Sequence, residues 1–342
     1  MPRKILITGA SGFIGSFLVE RALELGFEVW AGVRATSSRR WLQDRRIRFV
    51  DLNLQDEDSL RQSLEKFRRE QGAWDFVVHA AGATKARNEA EFKAVNVEGT
   101  KHLANALQAL GMTPQRFVFL SSLSVLGAPR EKKVAQDGFC YAPMTADDAP
   151  QPNTAYGRSK LAAEEYLRSL QDFPCVILRP TGVYGPREKD YFLMAKSIRR
   201  HVDFTVGFRR QEITFIYVRD LVEAVFQMLE HGETGRTYLL SDGETYSSRT
   251  FSSLLQQELG VRRVVHLRAP LWLLRCVCGV GTLAGRLTGR MTALNNDKFN
   301  ILRQRNWRCD IRPALAAGYA PKYGLAKGVS ETVAWYKKEK WI

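Results

Sequence analysis

The amino-acid sequence predicts an α/β fold, in which a doubly wound parallel sheet carries a smaller, discontinuous and mainly helical cap. Three observations support this prediction. Short apolar runs alternate with longer helical patterns over the first 180 residues, as in parallel sheets covered by helices on both faces. A glycine-rich turn follows the first apolar run, and the alternation breaks after Arg179-Pro180.

The first two elements are a strand over Lys4–Thr8 and the glycine-rich turn Gly9–Gly15. Gly9 permits the tight turn, Gly12 lets the backbone approach a phosphate, and Gly15 lets the next helix pack closely on the strand. That helix offers unpaired N–H groups and the positive end of its dipole to an anion. The turn therefore predicts a Rossmann-type dinucleotide site formed by Gly9, Ser11, Gly12, Phe13, Ile14 and Gly15.

The remaining elements of the sheet follow the same alternation. Buried runs such as Phe76-Val77-Val78 fit strands that are covered on both faces. The apolar runs predict strands at 4–8, 28–33, 47–51, 75–79, 116–121 and 175–179. The periodic patterns between them predict helices near 13–25, 57–70, 89–110 and 156–171.

The chain changes character after residue 180, where a segment of about 30 residues precedes a strand at Ile213–Tyr217. A helix near 219–230 and a strand at 237–240 follow, and the rest is mainly helical. We expect residues 1–180 and 213–240 to form the dinucleotide-binding domain. We expect residues 181–212 and 241–342 to form a substrate-binding cap, because ligands lie at the carboxyl edge of such sheets.

Charge is unevenly distributed along the 342 residues, whose net charge is +15. Residues 241–342 contain 17 Lys and Arg against 7 Asp and Glu, and the first 240 residues supply the other +5. A basic C-terminal third is expected to attract a phosphorylated substrate or an acidic membrane surface, or to be an ordinary basic surface. Because no nucleic-acid-binding motif accompanies it, we expect no nucleic-acid partner.

Cysteine content and the N-terminus indicate the compartment. Five cysteines without a C-x-x-C spacing indicate reduced thiols, with neither a disulfide framework nor a zinc site. The N-terminus enters a strand directly, so we expect no signal peptide and a cytoplasmic location. The apolar stretch 269–283 is too short, and too interrupted by Arg275, for a transmembrane helix. We expect it to line an apolar pocket or to pack in the core.

A candidate catalytic set follows the fifth strand. Tyr156 and Lys160 are four residues apart, so they share one face of the predicted helix. A phenol has an ordinary pKa of about 10, and we expect the Lys160 ammonium and an oxidised nicotinamide ring to make it a usable base. Ser122, at the end of the strand, is expected to hold the substrate oxygen and stabilise developing charge.

With these motifs in order, the chain resembles the extended short-chain dehydrogenase/reductase family, which includes the NAD-dependent epimerase/dehydratase group. The resemblance covers nearly the whole chain and rests on Thr8–Gly15, Asp51-Leu52, His79-Ala80-Ala81-Gly82, Asn96 with Gly99-Thr100, Ser122, Tyr156 with Lys160, and Arg179-Pro180 with Tyr184-Gly185-Pro186.

The resemblance implies a role for most of these residues. Asp51 and Leu52 are expected beside the adenine, and Ala80, Ala81 and Gly82 along the cofactor. Asn96 is expected to support the active-site region. Together with Tyr156 and Lys160 it is also expected to complete the cofactor-binding set. The residues expected to serve hydride chemistry are Ser122, Tyr156 and Lys160. The family also suggests a homodimer formed through two sheet-flanking helices.

The end of the second strand indicates which cofactor is preferred. Family members that use NAD usually place an acid there to bind the ribose hydroxyls, whereas this chain has Val33 followed by Arg34. A guanidinium matches a 2′-phosphate in geometry and charge. The sequence therefore predicts NADP(H) as the preferred cofactor, held by Arg34, with NAD(H) as the alternative.

Two departures from the family patterns narrow the chemistry. Leu123 and Ser124 replace the Asp-Glu pair of sugar dehydratases, so water elimination is not expected. Gly182 lies where nucleotide-sugar epimerases commonly carry an asparagine. The Arg-Pro-Thr-Gly pattern at 179–182 and the segment 214–220 look more like the 3β-hydroxysteroid dehydrogenase and dihydroflavonol reductase branch.

The leading hypothesis is therefore an oxidoreductase that interconverts a secondary alcohol and a ketone of a small-molecule substrate. Two alternatives stay open. A nucleotide-sugar epimerase would use the same Ser122, Tyr156 and Lys160 and retain its cofactor through the cycle. A non-catalytic NADP sensor on the same fold is less favoured, because such proteins often lose the Tyr/Lys pair.

Overall fold

The computed structural model describes residues 2–131, 138–288 and 295–342. In chain order its strands are β1 (Lys4–Thr8), β2 (Glu28–Val33), β3 (Arg48–Asp51), β4 (Phe76–His79), β5 (Arg116–Leu120), β6 (Cys175–Pro180), β7 (Gly182–Tyr184), β8 (Val202–Val206), β9 (Glu212–Ile213), β10 (Phe215–Tyr217), β11 (Thr237–Leu240), β12 (Tyr246–Ser247) and β13 (Val265–Ala269).

The helices alternate with these strands over the first half of the chain. They are α1 (Phe13–Glu24), α2 (Glu57–Gln71), α3 (Glu89–Phe92), α4 (Gly99–Ala109), α5 (Ala155–Ser169), α6 (Asp190–Arg199), α7 (Val218–His231), α8 (Thr250–Leu259), α9 (Leu271–Thr288), α10 (Asn296–Arg303), α11 (Arg312–Ala316) and α12 (Leu325–Lys338). A π-helical turn at Lys93–Glu98 joins α3 to α4, and a 3-10 turn at Leu123–Val125 follows β5.

A seven-stranded parallel sheet in the order β3-β2-β1-β4-β5-β6-β11 forms the centre of the molecule. Chain order reverses between β1 and β4, and in doubly wound folds this position creates the ligand crevice beyond the carboxyl ends of the strands. Residues such as Ile7, Val78 and Val118 are fully buried, because helices cover both faces. The predicted doubly wound α/β fold is confirmed.

Two apolar layers hold the helices on this sheet. On one face α1 and α7 pack through residues that include Leu18 and Leu221. On the other face α2, α4 and α5 pack through residues that include Leu64, Leu103 and Leu167. Burying side chains of this size stabilises the fold by about 1.5–3 kcal/mol each before the entropy cost is counted. These layers fix where α1 and α5 begin, and both beginnings face the carboxyl edge of the sheet.

Two predicted elements differ from the structure. The strand expected at Ile213–Tyr217 is interrupted at Thr214, so β9 pairs with β12 and β10 pairs with β7. The Thr214 hydroxyl instead donates to the Trp307 carbonyl oxygen at 2.6 Å. The helix expected over 89–110 contains the π-helical turn in its middle. Both differences arise from contacts with distant parts of the chain, which local patterns do not contain.

The predicted cap segments, 181–212 and 241–342, contain helices α6 and α8 to α12 with short strand pairs. Strand β7 from the first segment pairs in parallel with β10. In the apolar stretch 269–283, Leu274 and Cys278 are buried, but Trp272 and Val280 are exposed. Neither role predicted for this stretch, pocket lining or core packing, describes it as a whole. In the described ranges no helix is long and apolar enough to cross a membrane.

Candidate active site

The glycine-rich turn packs directly against the end of β4. Gly9 has φ +66°, and a Cβ there would lie 2.7 Å from the Ala81 nitrogen. A Cβ on Gly15 would overlap the Gly9 carbonyl oxygen. Helix α1 begins at Phe13 with no side chain capping its N-terminus, and Gly12 is exposed in front of it. The free N–H groups of the first turn, including those of Phe13 and Ile14, suit an anionic pyrophosphate group.

A buried hydrogen-bond network fixes the segment that follows β4. The Thr8 hydroxyl lies 2.7 Å from His79 Nδ1 and accepts the Ala81 N–H at 3.2 Å. His79 Nε2 lies 3.0 Å from the Thr100 hydroxyl. Burial lowers the pKa of His79 to about 3, so the imidazole is neutral and acts as a structural bridge. Ala80, Ala81 and Gly82 are thereby held beside the glycine-rich turn.

Ser122 lies on the 3-10 turn that follows β5. Its hydroxyl oxygen accepts the Ser124 N–H at 3.2 Å and lies 2.9 Å from the Ser124 hydroxyl, which donates to it. The position where dehydratases carry an acid therefore holds a residue that orients the Ser122 hydroxyl. The sequence analysis missed this role of Ser124, although a short polar residue two positions after another serine is a known local hydrogen-bonding pattern.

Helix α5 brings Tyr156 to the same turn. A Cβ on Gly157 would lie 2.6 Å from the Ser124 carbonyl oxygen, so only glycine permits this approach. The Thr154 hydroxyl accepts the Gly157 N–H at 3.0 Å, and Asp297 Oδ2 accepts the Ala155 N–H at 2.9 Å. The first turn of α5 is therefore capped by side chains, unlike that of α1. The sequence analysis missed Asp297, which lies 142 residues away from Ala155.

The Tyr156 phenol is hydrogen-bonded to Ser122. Burial raises the pKa of Tyr156 to about 12, and the hydrogen bond with Ser122 acts in the lowering direction. The sequence predicts that Lys160 lowers this pKa. Among the protein's own side chains this is wrong, because Ser122 lowers the pKa of Tyr156 and burial outweighs that effect. At neutral pH Tyr156 is consequently protonated and can donate its proton.

Lys160 lies one turn further along α5, and its side chain is almost completely buried. Its ammonium nitrogen is 4.2 Å from the centroid of the Phe119 ring, and a Cβ on Gly82 would lie 3.6 Å from the same nitrogen. Burial lowers the pKa of Lys160 to about 7, and the Glu164 carboxylate acts in the raising direction. Lys160 therefore lies between β5 and the Gly82 segment, as a cofactor contact in this region requires.

Behind Lys160, a buried ion pair connects α5 to β6. Arg179 Nε and Nη2 donate to the two carboxylate oxygens of Glu164 at 2.9 and 2.6 Å. Arg168 and Ser121 also donate to Glu164. This arrangement explains the Arg179-Pro180 motif as a structural one. The sequence analysis did not single out Glu164, although its spacing of four from Lys160 was visible.

Asn96 lies on the π-helical turn and is buried. Its Oδ1 accepts the Ala83 N–H at 2.7 Å, and its Nδ2 donates to the Ala83 carbonyl at 3.0 Å and to the Ser159 hydroxyl at 2.9 Å. The Ser159 hydroxyl in turn donates to the Tyr156 carbonyl at 2.7 Å. Asn96 thus joins the segment after β4 to helix α5, and its support of an active site stays a prediction.

Arg34, Asp51 and Leu52 lie at the ends of neighbouring strands, where Val33 pairs with Asp51. Arg34 and Asp51 are exposed, and Leu52 is buried. The Ser37 hydroxyl accepts the Arg34 N–H at 3.1 Å. Arg39 lies over the Phe49 ring at 4.2 Å and Arg40 over the Trp41 ring at 4.6 Å. Of Arg34, Arg39 and Arg40, Arg34 is the one at the strand end.

The site therefore combines an uncapped helix N-terminus with a phenol that is hydrogen-bonded to a serine. Within the described ranges no group of three or more His, Cys, Asp and Glu side chains could hold a metal ion. The model of the NAD dependent epimerase/dehydratase family matches residues 5–241. The chain belongs to this family. Epimerase/dehydratase family members are enzymes of the extended short-chain dehydrogenase/reductase type, and the resemblance expected from the sequence is confirmed.

Relatives in the epimerase/dehydratase family include both epimerases and reductases. A UDP-glucose 4-epimerase of Vibrio cholerae is 26% identical over 85% of this chain and 87% of its own length. A ceramide reductase of Caulobacter vibrioides is 26% identical over 99% of this chain and 96% of its own. The structure of the Bordetella bronchiseptica enzyme WbmG in complex with NAD superposes with a TM-score of 0.75, at 24% identity over 99% and 95% of the two chains.

Proposed function

We propose that the protein is an NADP(H)-dependent reductase that converts a ketone of a small-molecule substrate to a secondary alcohol. The observation that carries this proposal is the group of hydroxyls after β5: Ser124 donates to Ser122 where a dehydratase would carry an acid, and Ser122 lies close enough to the Tyr156 phenol to lower its pKa. The hydroxyls of Ser122 and Tyr156 are thus available together for a substrate oxygen. Such a pair suits a carbonyl oxygen that accepts a proton.

The residues present fit a dinucleotide cofactor. Gly9 and Gly15 allow the close backbone packing of the turn, and this packing leaves the exposed Gly12 in front of an uncapped helix N-terminus that would hold the pyrophosphate. Arg34 would hold the 2′-phosphate, and Ala80, Ala81 and Gly82 would lie along the cofactor beside Lys160. Asp51 and Leu52 would flank the adenine. When bound, NADPH supplies the hydride that a ketone reduction needs.

The chain's own residues then handle the substrate oxygen. Ser122 Oγ donates a hydrogen bond to the carbonyl oxygen and polarises it. Tyr156 Oη donates its proton to that oxygen as negative charge develops, and its pKa of about 12 keeps this proton in place at neutral pH. Lys160, while protonated, stabilises the phenolate that remains. The same groups run in reverse for alcohol oxidation, with Tyr156 as the base.

A second candidate, a nucleotide-sugar epimerase, is supported by the Vibrio cholerae relative. The surroundings of Gly182 favour the reductase. A Cβ on Gly182 would overlap the Tyr191 hydroxyl, so the space that an asparagine side chain would need at this position is already filled. A chain without this asparagine lacks a contact to a sugar diphosphate. We therefore rank ketone reduction first.

The substitution Tyr156→Phe tests the proposed proton donor. We expect turnover of a panel of steroid-like, flavonoid-like and long-chain ketones to fall by at least about 100-fold, because the proton source is lost. NADPH affinity should stay within about twofold. NADPH oxidation measures turnover, and protein fluorescence quenching measures binding.

Tyr166→Phe is the matched control, since Tyr166 also lies on α5 and its hydroxyl bonds only to Asn105 in the described structure. It should leave turnover unchanged. Parental activity in Tyr156→Phe would refute the proposed role. Interconversion of nucleotide sugars without net NADPH consumption would instead establish the epimerase.

The substitution Arg34→Gln tests the cofactor preference. One charge-assisted contact to a phosphate is worth about 1.5–3 kcal/mol, so NADP affinity should fall by about 10- to 150-fold while NAD affinity stays constant. Titration calorimetry with both nucleotides measures this. Arg45→Gln, at another exposed arginine, should change neither. An equal loss for both nucleotides would show that Arg34 does not recognise the 2′-phosphate.

We further propose three properties that the family and the sequence suggest. Residues 181–212 and 241–342 form the substrate-binding cap over the carboxyl edge of the sheet. The enzyme acts in the cytoplasm, where its five free cysteines would stay reduced. It forms a homodimer through two sheet-flanking helices, which sedimentation analysis would detect as a mass twice that of the chain.

A further inference from the structure

The two-stranded ribbon formed by β8 and β13 carries an exposed apolar face. The strands are parallel, and Val202 pairs with Val265, Phe204 with Leu267, and Val206 with Ala269. Side chains alternate between the faces of a strand, so these six apolar residues share one face. Phe204 is 62% exposed and Val265 is 60% exposed. In a soluble ribbon this face would be expected to pack on the core.

On the opposite face of the ribbon, β8 packs inward at Asp203, whereas His266 and Arg268 of β13 are exposed. Asp203 is buried, where it accepts a hydrogen bond from the Ser252 hydroxyl at 3.1 Å and lies 3.0 Å from His266 Nδ1. The ribbon therefore places a carboxylate inside and its apolar residues outside. This reverses the usual pattern of a half-buried sheet, in which the apolar face is covered and the polar face is solvated. An outward-facing apolar surface of this kind requires an apolar partner that covers it.

Helix α9 extends the same surface. It begins at Leu271, two residues after β13 ends, and the Gly207 N–H bonds to the Ala269 carbonyl at 2.9 Å, which joins the ends of both strands to the start of the helix. Among the α9 side chains that the structure describes, Leu274 and Cys278 are buried on the protein, and the Thr282 hydroxyl accepts the Asn296 N–H of α10. The surface, hereafter the apolar face, comprises Val202, Phe204, Val206, Phe208, Val265, Leu267, Ala269, Leu271, Trp272, Leu273, Val277, Val280 and Leu283.

The charges around the apolar face have one sign. From Leu259 to Thr288 the sequence contains five arginines and neither aspartate nor glutamate. The side chains of Arg262, Arg263, Arg268 and Arg275 are exposed, and Arg268 lies over the ring of Phe208 at 5.8 Å. Guanidinium groups at the edge of a large apolar patch are the arrangement that binds phosphate headgroups while apolar side chains enter the acyl region.

We propose that the apolar face docks on the surface of a bilayer rich in anionic phospholipid. Exposed patches of this extent are rare on monomeric proteins that have no partner. The uniform positive charge over 30 residues fits a continuous negative surface, whereas a protein partner would need a defined set of matching carboxylates. Because α9 keeps Leu274 and Cys278 packed on the protein, it lies along the membrane surface. Trp272 is placed at the headgroup level, where tryptophan is enriched.

The proposal does not depend on the catalytic assignment, and binding to vesicles tests it directly. The full chain is mixed with vesicles of phosphatidylcholine alone or with 30% phosphatidylglycerol, and the bound fraction is measured by flotation. We expect binding to the anionic vesicles to be at least tenfold stronger, since each arginine near an anionic surface contributes about fivefold. Raising the salt concentration from 0.1 M to 0.5 M should reverse most of this difference, because it screens the charges.

Paired variants separate the contribution of apolar contact to vesicle binding from that of the arginine charges. The double variant Leu267→Ser and Val277→Ser should lose binding to anionic vesicles by roughly tenfold or more, because it removes apolar contact. Leu25→Ser with Leu315→Ser is the matched control, because the four side chains are about equally exposed. Leu267 and Val277 are 45% and 44% exposed, and Leu25 and Leu315 are 44% and 43% exposed. Replacing Arg262, Arg263, Arg268 and Arg275 by Gln should remove the preference for anionic lipid. All variants should keep the parental melting temperature, because the replaced side chains are exposed.

Three results would overturn the proposal. The first is equal flotation with neutral and anionic vesicles. The second is a loss of binding in the Leu25 and Leu315 control as large as in the Leu267 and Val277 variant. The third is a chain that does not bind vesicles and self-associates with increasing concentration, with the Leu267 and Val277 variant remaining monomeric, and this result would assign the apolar face to a second copy of the chain.

Discussion

Lys160 is the residue whose charge decides the pH behaviour of the site. Its ammonium group is enclosed by Phe119 and the Gly82 segment, and burial lowers its pKa to about 7. The protonated form therefore predominates below pH 7 and is lost above it. Tyr156, with a pKa of about 12, stays protonated over the whole range in which Lys160 titrates. A change of rate near neutrality would consequently report Lys160.

We expect kcat/KM for ketone reduction to be level below about pH 7 and to fall by up to tenfold per pH unit above it, because the charge that stabilises the phenolate is lost. Initial rates between about pH 5.5 and 9, with circular dichroism at each pH, measure this. Lys160→Arg should keep its charge throughout and show no decline. A parental profile that stays flat to pH 9 would contradict the assignment.

Sequence patterns predicted candidate reacting residues but not the groups that position them. Tyr156 and Lys160 were recognisable because helical spacing puts residues four apart on one face. Ser124, Glu164 and Asp297 act through hydrogen bonds whose geometry is set by the folded chain. The pKa of Tyr156 could not be predicted either, since burial depends on every element packed around α5. The sequence predicts the chemistry of a residue, and the fold determines its environment.

Helix α5 and strand β6 are tied together by the buried pair of Glu164 and Arg179. Breaking a buried pair by removing one partner leaves an uncompensated charge in the interior. The pair lies one helical turn from Lys160, so its geometry and charge also bear on the catalytic helix. The stability of the sheet and the position of helix α5 therefore both depend on the contact between Glu164 and Arg179.

We expect Arg179→Met to lower the free energy of unfolding by about 3–5 kcal/mol, because the buried Glu164 carboxylate loses the guanidinium that binds both of its oxygens. Urea denaturation followed by circular dichroism measures the loss. The double variant Arg179→Met and Glu164→Leu should recover most of it, since both charges of the pair are then removed. A double variant as unstable as the sum of the two single variants would show that the two residues do not act as a pair.

The main elements could be predicted because their apolar patterns are strong. Strands such as Phe76–His79 and helices such as Glu57–Gln71 agree with the predicted bounds to within two residues. The break at Thr214 and the π-helical turn at Lys93–Glu98 could not be predicted. The Thr214 hydroxyl bonds to the Trp307 carbonyl at the break, and Asn96 on the π-helical turn bonds to Ala83 and Ser159. None of these contacts is local in sequence.

At the scale of the whole molecule, the C-terminal region contacts helix α5, which carries Tyr156. Asp297 at the start of α10 accepts the Ala155 N–H at the first position of α5, and this places a negative charge at the positive end of the helix dipole. Burial raises the pKa of Asp297, and hydrogen bonds from Ala155 and Tyr156 act against this rise. The last third of the chain therefore contributes to the position of Tyr156.

We expect Asp297→Ala to reduce the free energy of unfolding by about 1 kcal/mol, the usual cost of losing a helix cap. It should also lower kcat more than it changes KM, because the backbone of Tyr156 loses an acceptor. Steady-state kinetics and urea denaturation measure the two effects. Asp297→Asn keeps an acceptor oxygen and should restore most of kcat. An Ala variant with parental kcat would limit Asp297 to a role in stability.

The fold class and the order of the first strands followed from the sequence, because a parallel sheet with crossover helices is the main way to bury such alternating patterns. The packing of α10 against α5 did not follow. That contact joins residues 142 positions apart and carries no motif. The exposure of the apolar side of the β8 and β13 ribbon could not be predicted either, because alternation alone does not say which face is covered.

The π-helical turn before α4 has a consequence for how this helix could evolve. A π-helical turn holds one residue more than the α-helical turn it replaces. Deleting one residue between Lys93 and Asn96 would give a more regular helix but would rotate the asparagine by about 100°, away from Ala83. Such a shortened chain would gain local helical stability while losing the link between the segment after β4 and the helix that carries Tyr156. The extra residue therefore behaves as a retained insertion. Its removal would make the helix more regular but would break the contacts by which Asn96 holds the site together.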